Sequence, residues 1–442
     1  MNRKIIVWSV TVALGGFLFG LDTAVISGAE QAIQKLWSLN DFWHGTAVAM
    51  ALYGTVFGAA LGGWPSDAIG RKRTLFWIGI MYFVSALGSA LATDVNTFMV
   101  FRFIGGLGVG ASSVAAPLYI SEISPAKSRG QLVAIFQFNI VLGILIAYVS
   151  NYALQGIGGE EAWRWMLGVV AIPSVAFIVF VLFVPESPRW LIVKRNEEVE
   201  ARKVLAIINP GLVDESVAAI RASVHQEVGK RVERFFSKKY AWPILLAFLI
   251  ALFNQVSGIN AVIYYAPRIF KLAGQEASTA LLSSAGIGLA NLVFTLIGVT
   301  LIDRFGRKFL MYIGSIGYII SLSLIANAFF SENYTGITYF LFAFIAAHAI
   351  GQGAVIWVFI SEIFPNQVRA AGQSFGSFTH WIFAALIANV FPLFANDSSS
   401  GTGSIFLFFT AMMVLQLLFV AFMMPETKGV ALEDMEKRIV GH

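Results

Sequence analysis

The stretch YISEISPAKSRG, residues 119–130, returns as FISEIFPNQVRA at residues 359–370, 240 residues later. Two further landmarks keep nearly the same offset. DAIGRKR at Asp67 is matched by DRFGRK at Asp303, 236 residues on, and PESPR at Pro185 by PETKG at Pro425, again 240 on. Three landmarks at nearly one offset predict a chain built from two homologous halves.

The residues between the landmarks are apolar. Of 442 residues, 57% are hydrophobic and 12% charged, with a mean hydropathy of +0.75. A soluble domain carries roughly 25% charged residues, so this chain lacks the polar surface to face water all round. A bilayer-spanning helix needs about 20 mostly apolar residues. Twelve segments qualify: 5–29, 44–66, 74–92, 97–120, 132–153, 166–184, 242–270, 279–302, 309–329, 337–363, 371–395 and 404–424. The first is too long for a cleaved signal peptide and is followed by eleven more. The expected fold is an all-α membrane protein of twelve transmembrane helices in two six-helix bundles. Because six is even, both halves enter from one side, related by an axis along the membrane normal.

Lys and Arg set the orientation. Twenty-five of the thirty fall in loops on the side of the termini, four (Lys35, Arg164, Arg268 and Lys271) on the other, and Arg102 lies within a span. This places both termini in the cytoplasm. The predicted division is an amino-terminal bundle over 1–186, a cytoplasmic connector over 187–241, a carboxy-terminal bundle over 242–424 and a short cytoplasmic tail over 425–442. Within the connector, RNEEVEARKVLAII spaces its apolar residues as amphipathic helices do. Twin bundles can rock about a site at their interface, as alternating access requires.

Enzyme signatures are missing. There is no G-x-x-x-x-G-K-[ST] loop, no H-E-x-x-H and no G-x-S-x-G elbow. GGLGVG at 105–110 lies mid-span without a preceding strand, which fits small-residue helix packing. Five scattered histidines do not make a metal site, and without cysteines there is no thiol chemistry. No cofactor or nucleic-acid partner is expected.

Polar residues inside spans are costly and therefore informative. Asp22 is the clearest, and Arg102 is the one unambiguous base within a span, so the two are expected to pair. Making and breaking such a pair changes the carboxylate's hold on a proton, which would load and release one. FNQVSGINAVIYYAP adds Asn254, Gln255, Asn260, Tyr264 and Tyr265. Gln255 and Asn260 are about 140° apart on a regular helix, so a break at Ser257-Gly258 is predicted to bring them together. Asn291, His348, Gln352 and His380 extend the set, as do Gln137 and Asn139 in the first half. Trp357 and Trp381, beside Gly351, Gly353 and His380, would supply ring faces. Uncharged amides and aromatic faces suit a polyhydroxylated ligand. At the cytoplasmic ends, Asp67 with Arg71, Asp303 with Arg304 and Arg307, and the pairs Glu122/Arg129 and Glu362/Arg369 are read as gating charges.

Taken together, GGWPSDAIGRKR, RFIGGLGVG, PESPRWL, QVSGINAVIYYAP, DRFGRK, WVFISEIFPNQVRA and PETKG resemble the sugar porter family of the major facilitator superfamily, over essentially the whole chain. The resemblance is strongest to bacterial proton-coupled members, which carry a protonatable carboxylate where Asp22 stands. It implies Asp22 as proton acceptor and Arg102 as its partner. Gln137, Gln255, Asn260, Asn291 and Trp357 become sugar ligands, with Asn254, Tyr264, Gly353, Trp381 and Phe19 shaping the pocket. Three positions depart from the family pattern: His380 replaces an amide, Ile144 a second glutamine, and Ala68 the arginine of the first loop motif.

The expected function is thus secondary transport of a hexose or pentose by symport with H+. The expected setting is the lipid bilayer of a cell inner membrane, with the protein acting as a monomer. A passive uniporter and a non-transporting sugar sensor are the alternatives.

Overall fold

A segment in hydrocarbon must satisfy its own backbone hydrogen bonds, which a helix does internally. The computed structural model describes residues 2–228, 234–365, 367–395 and 398–430, and among these it holds helices and no strand. Twelve spans are long and apolar enough to cross a membrane. In chain order they are Arg3–Leu36, Asp41–Leu61, Arg71–Leu91, Val95–Glu122, Arg129–Leu154, Gly159–Leu182, Lys238–Leu272, Ala277–Phe305, Arg307–Phe330, Ile337–Ile363, Arg369–Phe394 and Ser399–Phe422. The first is longer than expected. It runs past residue 29 to Leu36, carrying Glu30 into a fully buried position. Residues 431–442 of the expected tail lie outside the described residues.

Contacts gather the chain into two compact units: Met1–Thr23 with Gly54–Ile144 and Leu167–Val232, and Ala24–Tyr53 with Leu145–Met166 and Glu233–His442. In the first unit, GGLGVG is a packing surface, as expected. A Cβ on Gly110 would lie 2.4 Å from the Thr55 carbonyl oxygen, and one on Gly58 2.3 Å from that of Leu107. The fourth span therefore meets the second backbone to backbone. The same unit contains the connector helices Glu198–Ile208 and Val213–Val228. Their apolar faces pack Ala201, Leu205 and Val217 against Trp190, Leu191 and Ile192.

In the second unit two spans are broken. The tenth changes direction at Gly351, between helices Ile337–Ile350 and Gln352–Ile363. The seventh breaks where the sequence predicts. Helix Ala241–Val256 ends, Gly258 adopts φ +85°, and helix Ile259–Leu272 begins. A left-handed backbone costs a non-glycine residue about 1–2 kcal/mol. A Cβ at Gly258 would also sit 2.5 Å from the Phe409 ring. Gly258→Ala is therefore expected to lower the melting temperature in detergent, followed by intrinsic fluorescence. Gly274→Ala is the comparator, since Gly274 shares the positive φ but has nothing within 4 Å, and it should cost distinctly less. Equal losses would show that the ring contact does not matter.

Candidate functional site

Asp22 lies in the middle of the first span and Arg102 in the fourth, each 2% exposed. Arg102 donates from Nη1 to Asp22 Oδ1 at 2.9 Å and from Nη2 to the Asp22 backbone carbonyl at 3.2 Å. The pair expected from sequence is present. Two of its atoms, Asp22 Oδ2 and Arg102 Nε, have no hydrogen-bond partner among the described residues. The glycines beside it have a steric task. A Cβ on Gly105 would come within 2.3 Å of Ser85 Oγ and 3.6 Å of Asp22 Oδ2. One carboxylate oxygen is thus held by a fixed cation, while the other can accept a proton without first breaking that bond.

The second unit collects the amides. Asn260 Nδ2 donates to Gln255 Oε1 at 2.7 Å, a contact possible because Gly258 turns the chain between them. Gln255 Nε2 donates to Asn254 Oδ1 at 2.8 Å and lies 3.2 Å from the His380 ring nitrogens. Asn254 Nδ2 donates to Gln352 Oε1 at 3.3 Å. The His380 ring lies 5.0 Å from Trp357 and 4.7 Å, edge-on, from Trp381. Trp357 is 39% exposed, whereas Gln255 is fully buried. The expected residues Asn254, Gln255, Asn260, Trp357, His380 and Trp381 therefore form one hydrogen-bonded cluster walled by two indoles. Asn291 is not joined to it by a hydrogen bond and instead accepts from Thr295 at 3.4 Å. Tyr264 is buried immediately before the kink at Tyr265 that precedes Pro267. Gly353 leaves room for the His348 ring, which a Cβ would approach to 3.3 Å. Gln137, partly buried, and Phe19, 8% exposed, belong to the first unit.

Sequence reasoning missed the far end of this network. Gln352 Nε2 donates to Gln416 Oε1 at 2.8 Å, and Gln416 Nε2 donates to Ser315 Oγ at 2.8 Å. The signal was a single glutamine in the apolar run MMVLQLLFV of the twelfth span.

The charges expected at the cytoplasmic ends of the spans are paired differently from expectation. Arg71, not Arg129, binds Glu122, through Nε at 3.0 Å and Nη2 at 3.1 Å. Arg307, not Arg369, binds Glu362, through Nε at 3.0 Å and Nη2 at 2.7 Å. Arg129 is exposed, and Arg369 donates to the Phe364 carbonyl at 3.3 Å. Asp67 and Asp303 each contact the arginine four residues on, at 3.0 and 3.4 Å. The Arg304 guanidinium lies over the Phe305 ring. Spacing within one loop misled the reading, because the nearest opposite charge in space comes from another helix.

PESPR and PETKG acquire a purpose here. Glu186 Oε1 accepts from the Arg71 and Lys72 backbone N–H groups at 2.9 and 3.1 Å, the positive end of the third span. Glu426 does the same for Arg307 and Lys308 of the ninth, at 3.0 Å each. Burial pushes the Glu186 carboxyl up from its ordinary value, opposed by the N–H groups of Ser187, Lys72 and Arg71 and by the Arg71 charge.

A further charged cluster escaped the sequence reading, which counted Arg268 only as an outer-side charge at the end of the seventh span and stopped the first span before Glu30. In the second unit, Arg268 Nη2 donates to Glu30 Oε2 at 2.9 Å and Nε to Oε1 at 3.1 Å. His44 Nε2 lies 2.8 Å from Glu30 Oε2.

Repeated spans that bury polar side chains, with broken helices among them, are the architecture of a secondary transporter. Comparison with known proteins narrows the class. The chain belongs to the sugar porter family of the major facilitator superfamily: the family described as "Sugar (and other) transporter" matches residues 8–438. It is 38% identical to the arabinose-proton symporter of Bacillus subtilis, over 98% of this chain and 94% of that protein. It is 34% identical to the D-xylose-proton symporter of Escherichia coli, over 97% and 95%. Among solved structures, an inward-open conformation of the E. coli xylose transporter XylE superposes with a TM-score of 0.87 at 32% identity, covering 98% of this chain and all of that one. The chain is a sugar transporter, not an enzyme.

Proposed function

We propose that the protein is a monosaccharide–proton symporter that cycles by alternating access. The Asp22–Arg102 pair carries this reading: a buried carboxylate with one oxygen held at 2.9 Å and the other open is suited to taking up a proton. When Asp22 is protonated its negative charge is gone, and the pull between it and Arg102 weakens. The proton therefore alters the bonding between the first and fourth spans. The amides of Gln255, Asn260 and Asn254 and the imidazole of His380, with Gln137 and Asn291, offer donors and acceptors to sugar hydroxyls. Trp357 and Trp381 cover the C–H faces, with Tyr264, Gly353 and Phe19 shaping the pocket. Relatives named for arabinose and xylose support a pentose or hexose.

The bundles at 1–186 and 242–424 would be the two moving bodies. Arg71–Glu122–Asp67 and Arg307–Glu362–Asp303, with Arg129, Arg304 and Arg369 nearby, would set the stability of the cytoplasmic side. The excess of Lys and Arg in the loops beside the termini supports a multi-pass inner-membrane protein with cytoplasmic ends. It would act as a monomer, with H+ the sole co-substrate.

Uptake of radiolabelled pentoses and hexoses into proteoliposomes, with and without a protonophore, tests the reading. The expected result is concentrative uptake of at least one sugar that collapses with the protonophore, together with sugar-induced alkalinisation outside. Equilibration without accumulation would select passive uniport, and saturable binding without uptake would select a sensor.

A further inference from the structure

The Glu30–His44–Arg268 cluster has no part in the scheme above. Glu30 and His44 are fully buried, and the Arg268 side chain is 13% exposed. Arg268 clasps Glu30 with Nε and Nη2 and also donates to Gln34 Oε1. His44 Nε2 lies 2.8 Å from Glu30 Oε2, and neither buried ring nitrogen has a well-aligned hydrogen-bond partner among the described residues. A neutral imidazole carries one N–H and one nitrogen with an unshared lone pair, so this ring can take up a proton beside Glu30. The other charged or titratable groups facing the cluster are Tyr265, Asp41 and Lys271. The Tyr265 ring lies 6.0 Å from that of His44, and its hydroxyl donates to the Ala388 carbonyl. Asp41 interacts electrostatically with Arg268 and accepts from Gln34 Nε2 at 3.3 Å. Lys271 donates to Gln31 Oε1 at 2.7 Å.

The three members sit on backbones of unequal stiffness. Glu30 is inside a continuous 34-residue helix, and His44 is in the first turn of the second span. Arg268 rides near the end of helix Ile259–Leu272, just before its last turn. That helix is preceded by the break at Gly258 and interrupted again at Tyr265 (φ −120°, ψ 18°), just before Pro267. If this helix end swings away, Glu30 loses its counter-charge in a buried site, a costly state. His44 is already in contact and can replace it. A proton taken from outside water makes an imidazolium, both of whose nitrogens carry hydrogens, with Nε2 2.8 Å from Glu30 Oε2. With Arg268 in place, one negative and one positive charge balance beside a neutral imidazole. With Arg268 gone and His44 protonated, they balance again.

We propose that Glu30 and His44 form a second proton-binding site, at which a proton and Arg268 compete for one carboxylate. Protonation then favours release of the outer half of the seventh span. This rests on the transport reading only for which face is outside, and its test does not pass through uptake. The chain has no cysteine, so Ala266→Cys, at a position that is fully buried, gives a single reporter for an impermeant maleimide. The full-length Asp22→Asn protein, in vesicles without sugar, removes the other candidate proton site.

One proton gained per opening makes the open fraction grow by up to about tenfold per pH unit. After correction for thiol ionisation, labelling should rise as pH falls from about 8 to about 5.5. His44→Gln should flatten that rise, and Arg268→Gln should label fast at both pH values. Monodisperse elution confirms that each variant is folded. The proposal is overturned if the parent labels independently of pH, if His44→Gln keeps the parent's pH response, or if Arg268→Gln labels no faster. The first of these requires no substitution in the cluster. Symport can fail in the uptake assay with this result intact, and the reverse also holds.

Discussion

Asp22→Asn is expected to reduce concentrative sugar uptake to the equilibrium level while exchange of labelled for unlabelled sugar continues. The asparagine keeps an acceptor for Arg102 Nη1, now 2.9 Å from Asp22 Oδ1, and so keeps the contact between the first and fourth spans. What it removes is the ability to change charge. Arg102 then stays positive without a counter-ion in a site 2% exposed. Removing one member of a buried pair costs about 3–5 kcal/mol when nothing replaces it. Here the retained hydrogen bond softens that loss, so a folded but less stable protein is expected. Proteoliposomes with an imposed proton gradient measure the first effect and counterflow measures the second. Uphill uptake at the unsubstituted rate would remove Asp22 from the coupling mechanism.

Gln255→Leu should weaken sugar binding by roughly 100-fold or more. Gln255 Oε1 accepts from Asn260 at 2.7 Å, and Nε2 serves Asn254 at 2.8 Å and His380 at 3.2 Å. A leucine of similar size leaves those partners buried without their bonds, and each unpaired buried group costs about 1–3 kcal/mol. That cost falls on fold stability; binding loses the contact to ligand, and a sugar hydroxyl buried without its partner, at the upper end of about 1–3 kcal/mol, reaches the stated factor at about 1.4 kcal/mol per tenfold. Isothermal titration with the sugar that gives the largest uptake is the measurement. Gln416→Leu, at the far end of the chain of amides, removes a bond to Gln352 rather than to Gln255. It should therefore weaken binding much less. Similar losses for both would mean that the network acts as a single support and that Gln255 has no special place in it.

The spans, the repeat and the Asp22–Arg102 pair were legible because each rests on a strong local or energetic constraint. About 20 apolar residues in a row have few other uses, and a carboxylate at mid-span needs a partner. The break at Ser257-Gly258 was legible for the same kind of reason, since two amides five residues apart cannot share a face on an unbroken helix. Partners that meet only through the fold were not legible. Glu30 and Arg268 lie 238 residues apart, and in sequence Glu30 looks like the polar end of a span. Glu122 pairs with Arg71, 51 residues away, although Arg129 stands seven residues on. The sequence likewise shows PESPR and PETKG as a repeat without showing that their glutamates sit on helix starts.

Those two carboxylates have a consequence for the history of the chain. Glu186 with Gly70, Arg71 and Glu122, and Glu426 with Gly306, Arg307 and Glu362, are the same fastening made twice. Even the left-handed glycines correspond, at φ +100° and +92°. Each set is completed by residues of its own half. A polypeptide half as long would already have contained one working copy, so the simplest ancestor is a shorter gene whose product folded this corner unaided before fusion doubled it.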